Sequence, residues 1–460
     1  MKKYDVIVLG GGPGGYVAAI RSAQLRKSVL LVEKNKLGGV CLNVGCIPTK
    51  ALLKSAEVLN YIKNSKDFGI DVKGYEVDIK SIVDRSIAIS QKLSAGIEFL
   101  MKKNKIDVVK ASGKINDNST IILDNGELVE YKNLIIATGS SPRIIESYEP
   151  DGDIIWTYKE AIRPNIVPKS MIIIGSGAIG IEFACFYNAL GCDVTVLEAK
   201  ERILLNEDEE IAAVARKAFE KSGIKFIANV KLSNSCKKDK NGVIVSFYVN
   251  EKDVSLSAEK ILVAVGVVPN IHDIGLEKVK IKIENNYIAT DEFCKTDTHN
   301  IYAIGDVAKG PWLAHKASKE GVVAAEHICG IIPKIIDKNN IPSCVYSFPQ
   351  IASIGLSEQK AKDLGYKINV GKMSLSSNGK SLASSDVEGV VKTIFDSQTG
   401  ELLGAHMVGH EVSEMIHGLG IAKILEATEQ ELIDAIFAHP TIAEAIQESV
   451  LSAFDKAIHH

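Results

Sequence analysis

The chain has 460 residues, more than the roughly 100–200 of one ordinary domain, so two to four domains are expected. With 46% hydrophobic and 24% charged residues it is neither wholly disordered, nor collagenous, nor a coiled coil. A formal charge of −3 provides no global field for nucleic acid or anionic lipid, and no stretch approaches the ~18 consecutive apolar residues of a membrane span.

At the start, Met1-Lys2-Lys3 followed by apolar residues faintly imitates a signal peptide. A glycine cluster breaks the apolar run almost at once and no cleavage-like site follows, so a cytoplasmic start is expected. Residues 4–9 read as a strand leading into Gly10-Gly11-Gly12-Pro13-Gly14-Gly15, then an alanine-rich helical pattern, then a second strand ending at Glu33. The same unit recurs later. Residues 170–174 lead into Gly175-Ser176-Gly177-Ala178-Ile179-Gly180, a helical stretch, and a strand ending at Glu198. In both copies 23 residues separate the first glycine from the glutamate.

One GxGxxG alone is weak, because three spaced glycines can simply be a turn. Here each copy carries the flanking strand, the following helix and the acidic residue at the required distance. Gly10 and Gly175 make the tight turn, Gly12 and Gly177 let backbone approach a pyrophosphate, and Gly15 and Gly180 let the helix pack on its strand. The phosphates sit at a helix N-terminus, where free N–H groups and the macrodipole favour anions. Two copies imply two dinucleotides. Glu33 and Glu198 accept hydrogen bonds from a ribose 2′-hydroxyl and repel a 2′-phosphate, so NAD is expected over NADP at the second site. A solvated strand-end carboxylate is the alternative for Glu198, and nearby Lys200 and Arg202 leave room for some NADP use.

Residues 134–139 and 261–266 are strand-like runs ending in Gly139 and Gly266, read as closing strands of the two nucleotide units. Residues 301–304 form a further strand followed by Gly305-Asp306, and an aspartate at that end of a strand faces the ligand crevice. The charged residues 237–242 read as a hairpin turn. Beyond Pro342 the pattern changes to a hairpin, residues 389–395 and 402–408 around Ser397-Gln398-Thr399-Gly400, followed by helical patterns over 412–427 and 429–437. This is a separate α+β domain.

Eight cysteines are far too few for a secreted disulfide scaffold. Cys185, Cys192, Cys236, Cys294, Cys329 and Cys344 read as small core hydrophobes. Cys41 and Cys46 are five apart, just after the first ribose-binding strand end. A zinc site normally needs four ligands, and no second suitable pair occurs. A redox disulfide is favoured because thiolate exchange requires two thiols within bonding reach beside a dinucleotide. Two structural core cysteines are the alternative.

Taken together, the first glycine motif, Gly38-Gly39-Val40-Cys41-Leu42-Asn43-Val44-Gly45-Cys46-Ile47-Pro48-Thr49-Lys50, the second glycine motif, Ala137-Thr138-Gly139, Ile301 to Asp306, Leu313 to Ala317 and His439 to Ala445 resemble the pyridine nucleotide-disulfide oxidoreductases. The resemblance runs through essentially the whole chain, in the right order. It is strongest to the members that act on dihydrolipoamide. It implies an α/β fold with two Rossmann-like units, the first for FAD and the second for NAD, and a C-terminal α+β dimerisation domain. The expected segments are 1–145 for FAD, 146–270 for NAD, 271–341 returning to the FAD domain, and 342–460 for the interface.

Carried over by position, Cys41 resembles the interchange thiol that meets substrate and Cys46 the charge-transfer thiol beside the flavin. Lys50 matches the lysine near the flavin ring, and Glu182 its partner near the nicotinamide. Asp306 resembles the ribityl ligand; Trp312, Leu313, Ala314 and His315 match the segment along the isoalloxazine. Gly113, Thr138 and Gly139 match further FAD contacts, and Leu232 and Gly266 further NAD contacts. His439 resembles the acid–base oriented by Glu444, both supplied from the other subunit of a homodimer. A histidine suits proton transfer from a thiol because its pKa lies near working pH, and a carboxylate on its other nitrogen fixes the tautomer.

The resemblance implies a homodimer that reoxidises dihydrolipoamide on a separate lipoylated protein, of a 2-oxoacid dehydrogenase complex or the glycine cleavage system. Neither nucleic acid nor membrane is an expected partner. Mercuric reductases would call for a cysteine pair near the C-terminus, and none follows Cys344. Glutathione-type reductases favour NADPH, against Glu198. A non-catalytic scaffold is opposed by Cys41, Cys46, Lys50, His439 and Glu444 occurring together. One departure is Pro349-Gln350, where the family often has Pro-Glu.

Overall fold

The computed structural model describes residues 1–239 and 242–459. It separates into two compact units. The first comprises Met1–Ala51, Ser81–Arg143 and Val267–Ile336, the second Leu52–Lys80, Ile144–Gly266 and Asp337–His460.

The first unit is built on a seven-stranded sheet in which Asp107–Val109, Val29–Val32, Lys2–Leu9 and Leu128–Ile136 lie side by side in parallel. The strands are apolar runs because helices cover the sheet, and Val6, Ile7 and Val8 are fully buried. Strand Leu128–Ile136 does two jobs. Its first residues pair antiparallel with Thr120–Leu123, and its last three, Leu134 to Ile136, pair in parallel with Ile301–Ala303. The sheet therefore draws a strand from far along the chain, which delivers the turn Gly305–Val307 to the same edge as the first glycine turn.

The second unit holds two sheets of different character. Lys225–Ile227, Asp193–Leu197, Ser170–Ile174, Lys260–Val263 and Ile155–Trp156 form a five-stranded parallel sheet, flanked by the antiparallel meander Val230–Asp239, Gly242–Val249, Lys252–Ala258. The expected hairpin is present, with Asp239 paired to Gly242; its tip residues Lys240 and Asn241 lie outside the described residues, as does His460. The C-terminal part is a five-stranded antiparallel sheet with Leu402–Gly409 at its centre, and the hairpin Val390–Asp396 to Leu402–Gly409 falls where the alternation placed it. Helices Val412–Ile424 and Glu444–Ser452 bury Ile416, Leu419, Ile446 and Val450 in the adjoining core. The architecture is an α/β fold with two Rossmann-like units and an α+β C-terminal domain.

The scattered cysteines differ from expectation in part. Cys185, Cys192 and Cys294 are buried, but Cys236, Cys329 and Cys344 are only half-buried. The Cys236 thiol donates to the Ser147 carbonyl at 3.1 Å, so this position satisfies a polar group rather than merely filling space. Among the described residues no helix is long and apolar enough to cross a membrane.

Candidate functional site

The first glycine turn is shaped by the absence of side chains. Gly10 has φ +108°, and a Cβ there would lie 2.2 Å from the Ala137 carbonyl oxygen; one on Gly15 would lie 1.8 Å from the Gly10 carbonyl oxygen. At Gly12 a Cβ would meet nothing within 4 Å. Gly10 and Gly15 thus serve the turn and the helix packing, while Gly12 leaves open space before the N-terminus of helix Pro13–Gln24. That helix has no side-chain cap at Gly12, and the N–H groups of a helix's first turn have no partner within the helix. Glu33 closes the other side, its Oε2 accepting the Gly11 N–H and its Oε1 the Asn35 N–H, both at 2.7 Å. A carboxylate has further lone pairs for ribose hydroxyls. This cradle fits a dinucleotide pyrophosphate.

The second copy repeats the arrangement. Gly175 has φ +103°, a Cβ on Gly180 would lie 2.0 Å from the Gly175 carbonyl oxygen, and Gly177 again faces open space. Glu198 Oε2 accepts the Ser176 hydroxyl at 2.6 Å and its N–H at 3.1 Å, and Oε1 accepts the Lys200 N–H at 2.9 Å. Arg202, counted above as leaving room for NADP, is otherwise engaged. Its guanidinium donates to the carbonyls of Ile203, Leu204, Leu205 and Glu207 at 3.0–3.3 Å. Leu232 is half-buried on the meander at an irregularity in the strand register, and Gly266 takes φ +96° after strand Lys260–Val263.

Asp306 stands beyond strand Ile301–Ala303 in a polar nest the sequence did not reveal. The Ser140 hydroxyl donates to Asp306 Oδ2 at 2.6 Å. Beneath it, Glu320 Oε2 accepts the Gly305 N–H at 2.8 Å, and Glu320 pairs with Lys316 at 2.8 Å, both side chains nearly inaccessible. Burial pushes the Asp306 carboxyl above its usual range, against the Ser140 bond and the Lys316 charge. The turn Thr138–Gly139 is clasped by Asn270, whose Nδ2 donates to the Thr138 carbonyl at 2.9 Å while its carbonyl accepts the Thr138 hydroxyl at 2.7 Å. Gly113 packs against Leu9 and Val32, where a Cβ would lie 2.9 Å from the Leu9 side chain. Trp312 packs on Tyr287 with ring centroids 5.5 Å apart, and its buried Nε1 has no partner among the described residues. Leu313 caps helix Ala314–Ile328, which places Ala314 and His315 in its first turn.

The two thiols sit on either side of Gly45, Cys41 in helix Gly39–Val44 and Cys46 at the start of helix Cys46–Lys63. They share a hydrogen bond, and the pair is asymmetric. The bond to Cys46, burial and the Cys46 charge push the Cys41 thiol far up, with Lys50 opposing weakly. The two thiols also differ in place, since Cys46 opens its helix four positions before Lys50. A helix N-terminus with an ammonium one turn along is a position that favours a thiolate. Among the described residues no group of three His, Cys, Asp or Glu side chains is arranged to hold a metal ion.

In the second unit, His439 Nδ1 lies 2.9 Å from Glu444 Oε1, and Glu444 Oε2 accepts the Thr441 N–H at 2.8 Å. Glu444 has its carboxyl held low: burial works against this, but the Thr441 N–H and His439 outweigh it. The His439 side chain is 80% exposed. Glu182, on helix Ala178–Ala189, is 5% exposed, and its Oε1 accepts the Tyr346 N–H at 3.1 Å. Sequence reasoning missed Ser140, Asn270, Lys316 and Glu320. Lys316 and Glu320 show an i,i+4 spacing that reads as a solvated pair, and Ser140 carries no local signal at all.

Residues 4–321 match the family model described as pyridine nucleotide-disulphide oxidoreductase, and residues 341–450 match its dimerisation domain. The chain is 47% identical to a dihydrolipoyl dehydrogenase of Rhizobium etli, over 100% of this chain and 99% of the relative, and 45% identical to one of Zymomonas mobilis, over 99% of each. Among solved structures, LpdA from Mycobacterium tuberculosis superposes with a TM-score of 0.90 at 26% identity, covering 98% of this chain and 99% of that one.

Proposed function

From the premise that the chain belongs to the pyridine nucleotide-disulphide oxidoreductases, we propose that Cys41 and Cys46 form the redox pair through which it converts protein-bound dihydrolipoamide to lipoamide. The enzyme is a flavoprotein disulfide oxidoreductase with FAD and NAD as cofactors, and its electrons pass to NAD. The observation that carries the residue assignment is the hydrogen-bonded pair of thiols, with Cys46 opening helix Cys46–Lys63 one turn before Lys50.

In the reading we favour, Glu444 accepts a hydrogen bond from the Nδ1–H of His439, leaving Nε2 free to take the proton of a substrate thiol. The substrate thiolate attacks Cys41 Sγ of the Cys41–Cys46 disulfide, forming a mixed disulfide and releasing Cys46 as thiolate. The second substrate sulfur displaces Cys41, which closes the lipoyl ring and leaves the pair reduced. Bound FAD supplies two-electron transfer between this pair and NAD. Gly10, Gly12, Gly15, Glu33, Gly113, Thr138, Gly139, Asp306 and residues 312–315 would hold FAD. Gly175, Gly177, Gly180, Glu182, Glu198, Leu232 and Gly266 would hold NAD, with Lys50 beside the flavin ring.

The high exposure of His439 fits a base offered to another chain, so the working enzyme is read as a homodimer in which His439 and Glu444 complete the site of the other subunit. The lipoyl substrate would come from a 2-oxoacid dehydrogenase complex or the glycine cleavage system. A cytoplasmic location rests on the sparse cysteine usage. Steady-state kinetics with dihydrolipoamide against glutathione, using NAD and NADP in parallel, tests the reading. Turnover with dihydrolipoamide and NAD is expected; a preference for glutathione and NADP would overturn it.

A further inference from the structure

Residues 199–208 join strand Asp193–Leu197 to helix Glu209–Lys221 in the second unit, and they are tied at three points. From within, Arg202 donates to the carbonyls of Ile203 (3.3 Å), Leu204 (3.0 Å), Leu205 (3.1 Å) and Glu207 (3.1 Å). The segment thus folds around a guanidinium as secondary structure folds around its own ladder. At the middle, Leu204 takes φ +52°, is buried, and donates its N–H to the Ser176 carbonyl at 3.2 Å. Ser176 is the residue whose N–H and hydroxyl both hold Glu198 Oε2.

The far end is anchored in the C-terminal sheet. Asp208 caps the following helix by accepting the Glu210 N–H at 3.1 Å, and pairs with Lys392 at 2.9 Å, each side chain 3% exposed. Lys392 also reaches Glu358 at 2.7 Å and Glu210 at 3.2 Å. Cross-strand from it in register is His406, buried, with Nε2 2.9 Å from the Leu356 carbonyl. A buried ammonium met by several carboxylates is a poor source of net stability, yet removing one partner is strongly disruptive, so such a cluster acts as a geometric pin. Hydrogen bonds run from Ser176 through Leu204 and Arg202 to Glu207, and the ion pair at the adjacent Asp208 carries the connection to Lys392.

We propose that Arg202 and Lys392 are positioning residues of the NAD site: they brace residues 199–208 so that Glu198 faces the adenosine ribose, and the engagement of Arg202 by four carbonyls withholds its guanidinium from a 2′-phosphate. A guanidinium has five N–H donors in a rigid fork, and four carbonyl bonds leave it no fork to offer an anion. The inference rests on the reading of Glu198 as the ribose ligand and extends it to what holds that carboxylate.

The test is made on the purified holoenzyme. Steady-state kcat and KM are measured for NAD and NADP with saturating dihydrolipoamide, alongside stopped-flow flavin reduction by dihydrolipoamide. For Arg202→Ala the KM for NAD is expected to rise about tenfold with kcat within about twofold. Flavin reduction, which uses none of this segment, keeps its rate, and turnover with NADP stays at the wild-type level. Arg202→Lys, with a point charge in place of the fork, falls between. Lys392→Met is expected to move KM in the same direction, and because it strands buried carboxylates the double variant Lys392→Met/Asp208→Asn is measured beside it. A loss confined to NADP in Arg202→Ala would make Arg202 a phosphate ligand and overturn the proposal. Glu198→Gln separates the two levels. An unchanged KM for NAD there removes the ribose reading. A raised KM there, with an unchanged KM in both Arg202→Ala and the Lys392/Asp208 double variant, removes the brace alone.

Discussion

The His439 imidazole and the Glu444 carboxylate meet at 2.9 Å, Nδ1 to Oε1, while the other carboxylate oxygen is held by the Thr441 N–H at 2.8 Å. The glutamate is therefore oriented by backbone before it orients the ring. With its carboxyl held low, it stays anionic through neutral pH, and its acceptor role is lost only as pH falls through that depressed value.

Replacing Glu444 with glutamine keeps the shape and removes the charge that fixes the tautomer. Turnover of dihydrolipoamide is expected to fall by roughly 10²–10⁴, the range spanned by a positioned acid–base, with KM little changed. Steady-state kinetics at several pH values checks this; an unaltered kcat would exclude Glu444 as the orienting group.

The place of Cys46 at its helix N-terminus predicts different outcomes at the two cysteines. Cys41→Ser should retain the long-wavelength band of a thiolate beside flavin, and Cys46→Ser should lose it, while both abolish dihydrolipoamide oxidation. Absorbance spectra of the reduced variants decide the matter. A band that survives without Cys46 would reverse the assignment.

The glycine turn separates fold from binding. Gly15→Ala places a methyl carbon 1.8 Å from the Gly10 carbonyl oxygen and is expected to prevent the unit from folding. Gly12→Ala meets nothing, so the chain should fold but fill the space meant for a pyrophosphate. Flavin content and thermal unfolding of the two variants should therefore diverge: Gly12→Ala soluble and flavin-poor, Gly15→Ala insoluble or unfolded.

The flavin role proposed for Asp306 predicts a trade of stability for binding. Its carboxyl is raised by burial, so in the flavin-stripped protein the charged form is disfavoured, and that contribution to stability is present at low pH and lost as pH rises through the raised value. Asp306→Asn should raise the unfolding midpoint of the stripped protein at neutral pH. Flavin affinity should weaken at the same time. Calorimetry and flavin titration measure both, and a lowered midpoint would refute the account.

Much of this protein was legible locally. The glycine spacings, the apolar strands before them and the glutamates 23 residues later are short-range patterns whose physics operates within one strand-turn-helix unit, and the structure places Glu33 and Glu198 against their own glycine turns as that pattern requires. The change of character beyond Pro342 was likewise readable, since strand alternation and helical periodicity are local.

Other features depend on residues brought together across long stretches of chain. Ser140 meets Asp306 across 166 residues, and Lys392 meets Asp208 across 184. No periodicity records either pair, because a hydroxyl or an ammonium is equally at home in water until the sheets bury it. Arg202 illustrates the limit most directly. Its side chain admits a phosphate in sequence, and only the folded loop, by presenting four carbonyls to one guanidinium, takes that option away. Chain-local chemistry determined that this protein has two dinucleotide turns and a thiol pair; tertiary burial decided which charges are held, and by what, because desolvation acts only once distant segments have closed over a group.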